Sequence, residues 1–212
     1  MLDFGQFISM EENIVDMDLV GEDAIYALSD KGAYVIKQGM DKDIFGTTVK
    51  KEQQMRKPMA LRLLDDGRML VADTGNHRLS FLKPDGTFDY QFGVKGDRAG
   101  EFSYLEGVAV DKEGYIYVAD TQNHRIQVFN KDGIYLSTFG GEGAGGKSLG
   151  VDIGMFHSPK DLEFNSKEEL YVLDAGNKRI QVMNKEGVIL REIMRGIDGR
   201  DLFDDPIDMD LD

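Results

Sequence analysis

The sequence predicts an all-β fold, a β-propeller of four-stranded antiparallel blades, and three observations support this prediction. Glycine makes up 25 of the 212 residues, well above the roughly 7% that is usual in proteins, which indicates frequent turns. Three segments superimpose without gaps at spacings of roughly 45 to 55 residues, a period typical of propeller blades. Within each segment, short stretches alternate apolar with polar residues between turns, as antiparallel strands do.

The repeat is defined by a marker aspartate that ends the second strand of each blade. The three segments read MLVADTGNHRLSFLKPDGTFDYQFG, IYVADTQNHRIQVFNKDGIYLSTFG and LYVLDAGNKRIQVMNKEGVILREIM. The markers and the Asn, Arg and Gly that follow at fixed distances are Asp73, Asn76, Arg78 and Gly86; Asp120, Asn123, Arg125 and Gly133; Asp174, Asn177, Arg179 and Gly187. This recurrence indicates one structural unit that is repeated along the chain.

Extending the repeat over the chain predicts a single domain at 1–212. We expect four complete blades, at about 14–49, 58–93, 105–140 and 159–194, and partial blades at 1–5 and 206–212. A closed propeller usually needs more than four blades. The chain is therefore expected to be part of a ring of about six blades, or to complete a ring by self-assembly.

The first blade has the strand pattern but not the polar signature. Without gaps, its alignment places Ser29 at the marker position and Gly32, Ala33 and Tyr34 at the positions of Asn, His and Arg. Any role of the signature is therefore expected to be absent from this blade.

The segment VADTQNHRIQVF, together with VADTGNHRLSFL and VLDAGNKRIQVM, resembles the signature of NHL-repeat propellers. The resemblance is strong in the three later blades and weak in the first. Members of this family are mostly ring-shaped interaction modules, and some relatives are lyases or hydrolases with a metal in the central channel. The resemblance thus implies a non-enzymatic scaffold that binds a protein or ligand, with a metal-dependent lyase or hydrolase as the alternative.

The signature residues are expected to be architectural. Each marker aspartate ends one strand and each arginine begins the next, so the two should form a cross-strand ion pair over a four-residue hairpin. The asparagine between them is expected to adopt the left-handed turn conformation, which asparagine tolerates well. Because these residues recur in each of the three later blades, they favour a structural role over a unique active site.

No residue is predicted to be catalytic or to bind a cofactor. The segment GEGAGGKS, Gly141 to Ser148, matches the phosphate-binding loop pattern, but no helical period follows it, so a connector between blades is the better interpretation. The chain has no cysteine and no Gly-x-Ser-x-Gly elbow. Of its three histidines, His77 and His124 belong to the turn signature and His157 lies in a connector.

The first strands of the blades carry an acidic face. This face is expected to line the central channel of a propeller, and its oxygen ligands suit Ca²⁺ or Mg²⁺. The candidate metal ligands are Asp16, Asp18, Asp161, Glu163, Asp208 and Asp210. The hypothesis from these carboxylates is a cation site in the channel. The alternative, a water-filled acidic channel, is the interpretation that we favour.

Charge narrows the class of partner. The chain has 39 acidic and 25 basic residues and a net charge of -14, which opposes binding to nucleic acid or to anionic membranes. A protein or a small ligand is therefore the expected partner. No signal peptide or transmembrane segment is visible, and the absence of cysteine leaves the compartment open, so the parent protein could be secreted or periplasmic.

Overall fold

The computed structural model describes residues 13–20, 24–29, 32–37, 43–45, 54–141, 152–194, 203, 206–209 and 211. These residues form four four-stranded antiparallel sheets, each with its strands in chain order. The strands are β1 Ile14–Val20, β2 Ala24–Ser29, β3 Gly32–Lys37, β4 Asp43–Phe45, β5 Ala60–Leu63, β6 Met69–Asp73, β7 Arg78–Leu82, β8 Phe88–Phe92, β9 Leu105–Val110, β10 Ile116–Asp120, β11 Arg125–Phe129, β12 Tyr135–Phe139, β13 Pro159–Phe164, β14 Leu170–Asp174, β15 Arg179–Met183 and β16 Ile189–Ile193. The predicted all-β propeller fold of four-stranded blades is confirmed.

The described residues fall into two compact units, divided between Phe92 and Gly93. The first unit holds blade one (β1–β4) and blade two (β5–β8). The second unit holds blade three (β9–β12) and blade four (β13–β16). No helix among the described residues has the length and apolar character needed to cross a membrane.

The two middle strands of a blade form its core. All five residues of β6, β7, β10 and β11 are buried, whereas the fourth strands β8, β12 and β16 are only partly buried. A strand that is apolar on both faces must bury both. In the second unit, Tyr117 and Val128 of blade three pack with Leu162 and Val172 of blade four in one hydrophobic cluster. Each such side chain contributes about 1.5–3 kcal/mol when fully buried.

The first strands of blades three and four approach each other closely at Gly107. A Cβ atom at this position would lie 2.6 Å from the carbonyl oxygen of Lys160 and 2.7 Å from the Cα of Asp161. Glycine is required because any side chain would force β9 away from β13. Gly107 occupies the position in the repeat that Asp16 occupies in blade one.

The gapless alignment of blade one proves wrong after Ser29. Ser29 pairs with Gly32, and Ala27 pairs with Tyr34, whereas in blade two Asp73 pairs with Arg78. The hairpin of blade one is therefore two residues shorter than the others. Gly32, and not Tyr34, takes the place of the arginine.

Several predicted features fall partly or wholly outside the described residues. The partial blade at 1–5 lies outside them, as does the phosphate-loop match beyond Gly141. Residues 206–209 are described, and none of them is in a strand.

Candidate functional site

Each NHL-like signature folds into a buried cluster around its marker aspartate, which we call the signature node. In blade three, Oδ1 of Asp120 accepts the backbone N–H of Ser103 at 2.7 Å. Oδ2 accepts hydrogen bonds from Asn123 Nδ2 at 2.8 Å, Arg125 Nε at 2.8 Å and Gln127 Nε2 at 3.0 Å. Arg125 is only 1% exposed, so this ion pair lies inside the protein. The predicted cross-strand pair is confirmed.

Blade four repeats this node. Asp174 accepts the backbone N–H of His157 at 2.7 Å through Oδ1. Its Oδ2 accepts Asn177 Nδ2 at 2.9 Å, Arg179 Nε at 2.7 Å and Gln181 Nε2 at 3.1 Å. The same four kinds of donor therefore converge on both carboxylates.

Burial sets the electrostatics of the node in blade three. It raises the pKa of the Asp120 carboxyl, and the hydrogen bonds from Ser103 and Asn123 and the charge of Arg125 oppose that rise. A buried charge persists only when such partners replace its water. The node is thus a self-contained assembly in which the carboxylate is used to hold the fold.

The arginine of the node fixes the connector that precedes the blade. Arg125 donates to the carbonyl oxygens of Asp97, Arg98 and Glu101 at 2.7, 2.8 and 2.9 Å. In blade four, Arg179 donates to the carbonyl of Met155 at 2.9 Å and to that of Asp152, also at 2.9 Å. One guanidinium therefore joins the hairpin of a blade to the chain that enters it.

Sequence reasoning missed a Gly-x-Phe element in these connectors. The glycines, Gly100 and Gly154, have positive φ and donate their N–H to the Oε1 of Gln127 and of Gln181. The phenylalanines that follow, Phe102 and Phe156, are buried. The signal was available, since both pairs lie at the same distance before their marker aspartates.

The prediction that the asparagine takes the left-handed conformation is wrong. Asn76, Asn123 and Asn177 end single 3₁₀ turns, and the next residue is the left-handed one, with φ of 54° or 55°. The left-handed residues are His77, His124 and Lys178. The asparagine amide is instead directed at the marker carboxylate, which requires the asparagine backbone to stay in the turn.

The acidic residues of the first strands join neighbouring blades within each unit. In the first unit, Oδ2 of Asp16 accepts the backbone N–H of Leu61 at 2.7 Å and Nη1 of Arg62 at 3.1 Å. Oδ2 of Asp18 accepts the backbone N–H of Leu63 at 2.8 Å. We call this contact, from a first-strand carboxylate to the amide of the next repeat, the inner-strand latch.

The second unit contains the same latch. Oδ2 of Asp161 accepts the backbone N–H of Met209 at 3.1 Å, and Met209 occupies the column of the repeat that Leu61 occupies in blade two. Asp208 accepts the N–H of its neighbour Met209 at 2.9 Å. Glu163 lies half-buried in β13, and Asp210 is outside the described residues.

The predicted cation site is distributed over both units. Asp16 and Asp18 belong to the first unit, and Asp161, Glu163 and Asp208 belong to the second. Among the described residues, no three Asp, Glu or His side chains come together in an arrangement that could hold a metal ion. The cation site stays a prediction. In this structure Asp16, Asp18 and Asp161 each use Oδ2 to accept a backbone amide of the next repeat, and Oδ1 of Asp16 also accepts the N–H of Met17.

A second group of charges joins blades three and four away from the nodes. Lys185 pairs with Glu113, with Glu168 at 2.6 Å and with the buried Asp111 at 3.5 Å. Burial opposes the charge of Lys185, but hydrogen bonds to Glu113 and Glu168 raise its pKa. This lysine stays protonated and acts as a bridge between blades, a role in which it offers no general base.

Comparisons with known proteins agree with the repeat. The NHL repeat profile matches residues 102–129. The E3 ubiquitin-protein ligase TRIM32 of Mus musculus is 48% identical over 54 residues, which cover 26% of this chain and 8% of that protein.

Solved structures agree with the fold. The streptogramin B lyase structure aligns with a TM-score of 0.65 at 14% identity, over 87% of this chain and 56% of that one. The nidogen/laminin complex aligns with a TM-score of 0.53 at 12% identity, over 88% and 82%. The chain thus spans about half the length of the lyase and a small part of the ligase. At these identities, the likeness to the two structures shows the fold alone.

The node of blade two differs from the other two at one position, which leads to a test of the glutamine. Asp73 accepts hydrogen bonds from the backbone N–H of Arg56 and from the side chains of Asn76 and Arg78, as in the other blades. At the position of the glutamine, however, blade two has Ser80. The Oγ of Ser80 is buried and has no hydrogen-bond partner. Replacing Ser80 with Ala removes a polar atom that gains nothing from burial, so we expect unchanged or higher stability, by up to about 1 kcal/mol.

The matched substitution is Gln127→Ser, which gives blade three the residue of blade two. It removes hydrogen bonds to Asp120, Glu101 and Gly100, and we expect a loss of about 1–3 kcal/mol. Urea unfolding of both variants measures the difference. A Gln127→Ser variant as stable as the original chain would show that the hydrogen bonds of Gln127 do not stabilise the node.

Proposed function

We propose that this chain, whose residues 102–129 match the NHL repeat, is a non-enzymatic scaffold that binds a protein partner through the surfaces of its β-propeller blades. Two lines of evidence support the proposal. Blades three and four present matching exposed apolar residues, and the signature residues of these blades are engaged in the fold. The related fold in the nidogen/laminin complex belongs to an assembly of two proteins.

The observation that carries the proposal is a repeated apolar pair at the start of the fourth strand, which we call the outer pair. In blade three it is Ile134 and Leu136, which are 62% and 48% exposed, and in blade four it is Val188 and Leu190, which are 57% and 47% exposed. Apolar side chains that are exposed together are typical of interaction sites. Because both blades repeat the feature, it is a property of the surface and not a single exposed residue.

The two outer pairs lie on neighbouring blades of one unit. Gly187, directly before Val188, packs so closely on Phe139 of β12 that a Cβ atom would lie 2.5 Å from the ring. Ile189 packs on the core cluster that Phe139 also borders. The chain that carries the outer pair of blade four is therefore held beside the fourth strand of blade three.

Blade two supplies an internal contrast. At the positions of the outer pair it has Thr87 and Asp89, so among the three blades whose fourth-strand side chains are described, the outer pair occurs only in blades three and four. A binding role distributed over one pair of blades predicts that substitutions in blade two leave binding intact.

The binding surface is tested with the double variant Leu136→Glu/Leu190→Glu. Both residues are exposed, so the variant should fold with a stability within about 0.5 kcal/mol per site of the original chain. Two buried carboxylates at an interface should lower the capture of its partner at least about tenfold. Quantitative mass spectrometry of proteins captured from an extract of the source cells measures this loss.

The matched control is Thr87→Glu in blade two, which also adds a negative charge at an exposed, equivalent position. It should capture the same proteins as the original chain. If the blade-four and blade-three variant captures the full set, or if the blade-two control loses it, the outer pairs are not the binding surface.

The alternative function, a metal-dependent lyase or hydrolase in the channel, requires a bound cation. A divalent ion held by the predicted carboxylates would raise the melting temperature in millimolar Ca²⁺ or Mg²⁺ and lower it in chelator. Since Asp16, Asp18 and Asp161 already bind backbone amides, we expect the melting temperature to stay the same under all three conditions. A rise of several degrees that Asp161→Asn abolishes would establish the cation site and favour the enzyme.

A further inference from the structure

Blades three and four meet at a contact between a histidine side chain and a backbone amide. Nδ1 of His124, in the signature hairpin of blade three, accepts the N–H of Ser158 at 3.0 Å. Ser158 directly precedes Pro159, the first residue of β13. The contact thus lies where the chain enters the first strand of blade four.

Ser158 is held in an unfavourable conformation at this point. Its φ is 49°, in the left-handed region that residues other than glycine rarely adopt. The next residue is proline, which has no N–H to donate. The hydrogen bond to His124 is therefore the contact that pairs the last amide before β13 and helps to hold Ser158 in its strained backbone conformation.

The ring of His124 is half-buried and contacts groups of blade four. The His157 ring meets it edge to face, with centroids 5.5 Å apart. The backbone of His157 is itself fixed, because its N–H donates to Oδ1 of Asp174 and its carbonyl oxygen accepts the N–H of Gly176. A Cβ atom at Gly176 would lie 2.5 Å from the His157 ring, so this ring has little room to move away.

Nδ1 can accept the Ser158 N–H only when it carries no proton. If Nδ1 of His124 were protonated, its N–H would face the N–H of Ser158. The positively charged ring would also lie against the His157 ring. We propose that this contact makes the joint between blades three and four sensitive to acid: neutral His124 holds Ser158, and protonated His124 releases it. The proposal concerns the fold and is independent of the binding function proposed above.

The titratable groups of blade four that face His124 support this direction. Burial lowers the pKa of His124, His157 lowers it further, and the Asp174 carboxylate opposes both. An unperturbed histidine has a pKa of about 6.5. Because the folded chain favours neutral His124, the stability that the contact provides is complete above a pH of about 6.5 and is lost as the pH falls through the lowered pKa.

The test compares the 212-residue chain with His124→Asn. Asparagine tolerates the left-handed conformation that His124 adopts, and its Oδ1 can occupy the place of Nδ1 as an acceptor that does not titrate. We expect the protection factor of the Ser158 amide in hydrogen exchange to fall about tenfold in the original chain between pH 7.5 and pH 5.5. In His124→Asn it should stay constant.

His77→Asn, at the same position of blade two, is the matched control and should keep the acid response of Ser158. An equal loss of protection in the original chain and in His124→Asn would overturn the proposal. Should His124→Asn fail to fold, an NMR titration of the original chain decides the question. A His124 ring that protonates above pH 6.5, or whose protonation leaves the Ser158 amide resonance unchanged, would also overturn it.

Discussion

A buried carboxylate with donors from two separate stretches of chain is the interaction on which each signature blade depends. Asp120 receives side-chain donors from its own hairpin and a backbone donor from the connector. Removing an ion from water costs several kcal/mol, so the carboxylate is stable in the interior only while all of these donors are in place. The hairpin and the connector are therefore ordered together.

This constraint determines the course of the neighbouring chain. The arginine of the node binds the connector carbonyls, the connector ends in a left-handed residue, and the first strand begins from that point. Blade one has a two-residue hairpin without the signature, and its carboxylates, Asp16 and Asp18, bind the amides of blade two. Carboxylates thus accept backbone amide hydrogen bonds in two places: within a blade, at the signature node, and between blades, at the inner-strand latch.

The sequence was sufficient to predict the strands and the Asp–Arg pairs, because alternation and fixed spacing report directly on strand register. It was not sufficient for the left-handed residue, since that depends on how the 3₁₀ turn directs Asn123 toward Asp120. The inner-strand latch was also missed. Its acceptor, Asp161, is visible in the sequence, but its donor is a backbone amide, which every residue except proline has.

The central claim is that the marker aspartates stabilise the blades from the interior, and Asp120→Asn tests it most directly. This substitution keeps the shape of the side chain and removes the charge that Arg125 requires, so we predict a loss of about 3–5 kcal/mol in the free energy of unfolding. Glu169→Gln, in the exposed pair with Arg191, should lose less than about 1 kcal/mol. Equal, small losses in both variants would contradict the account.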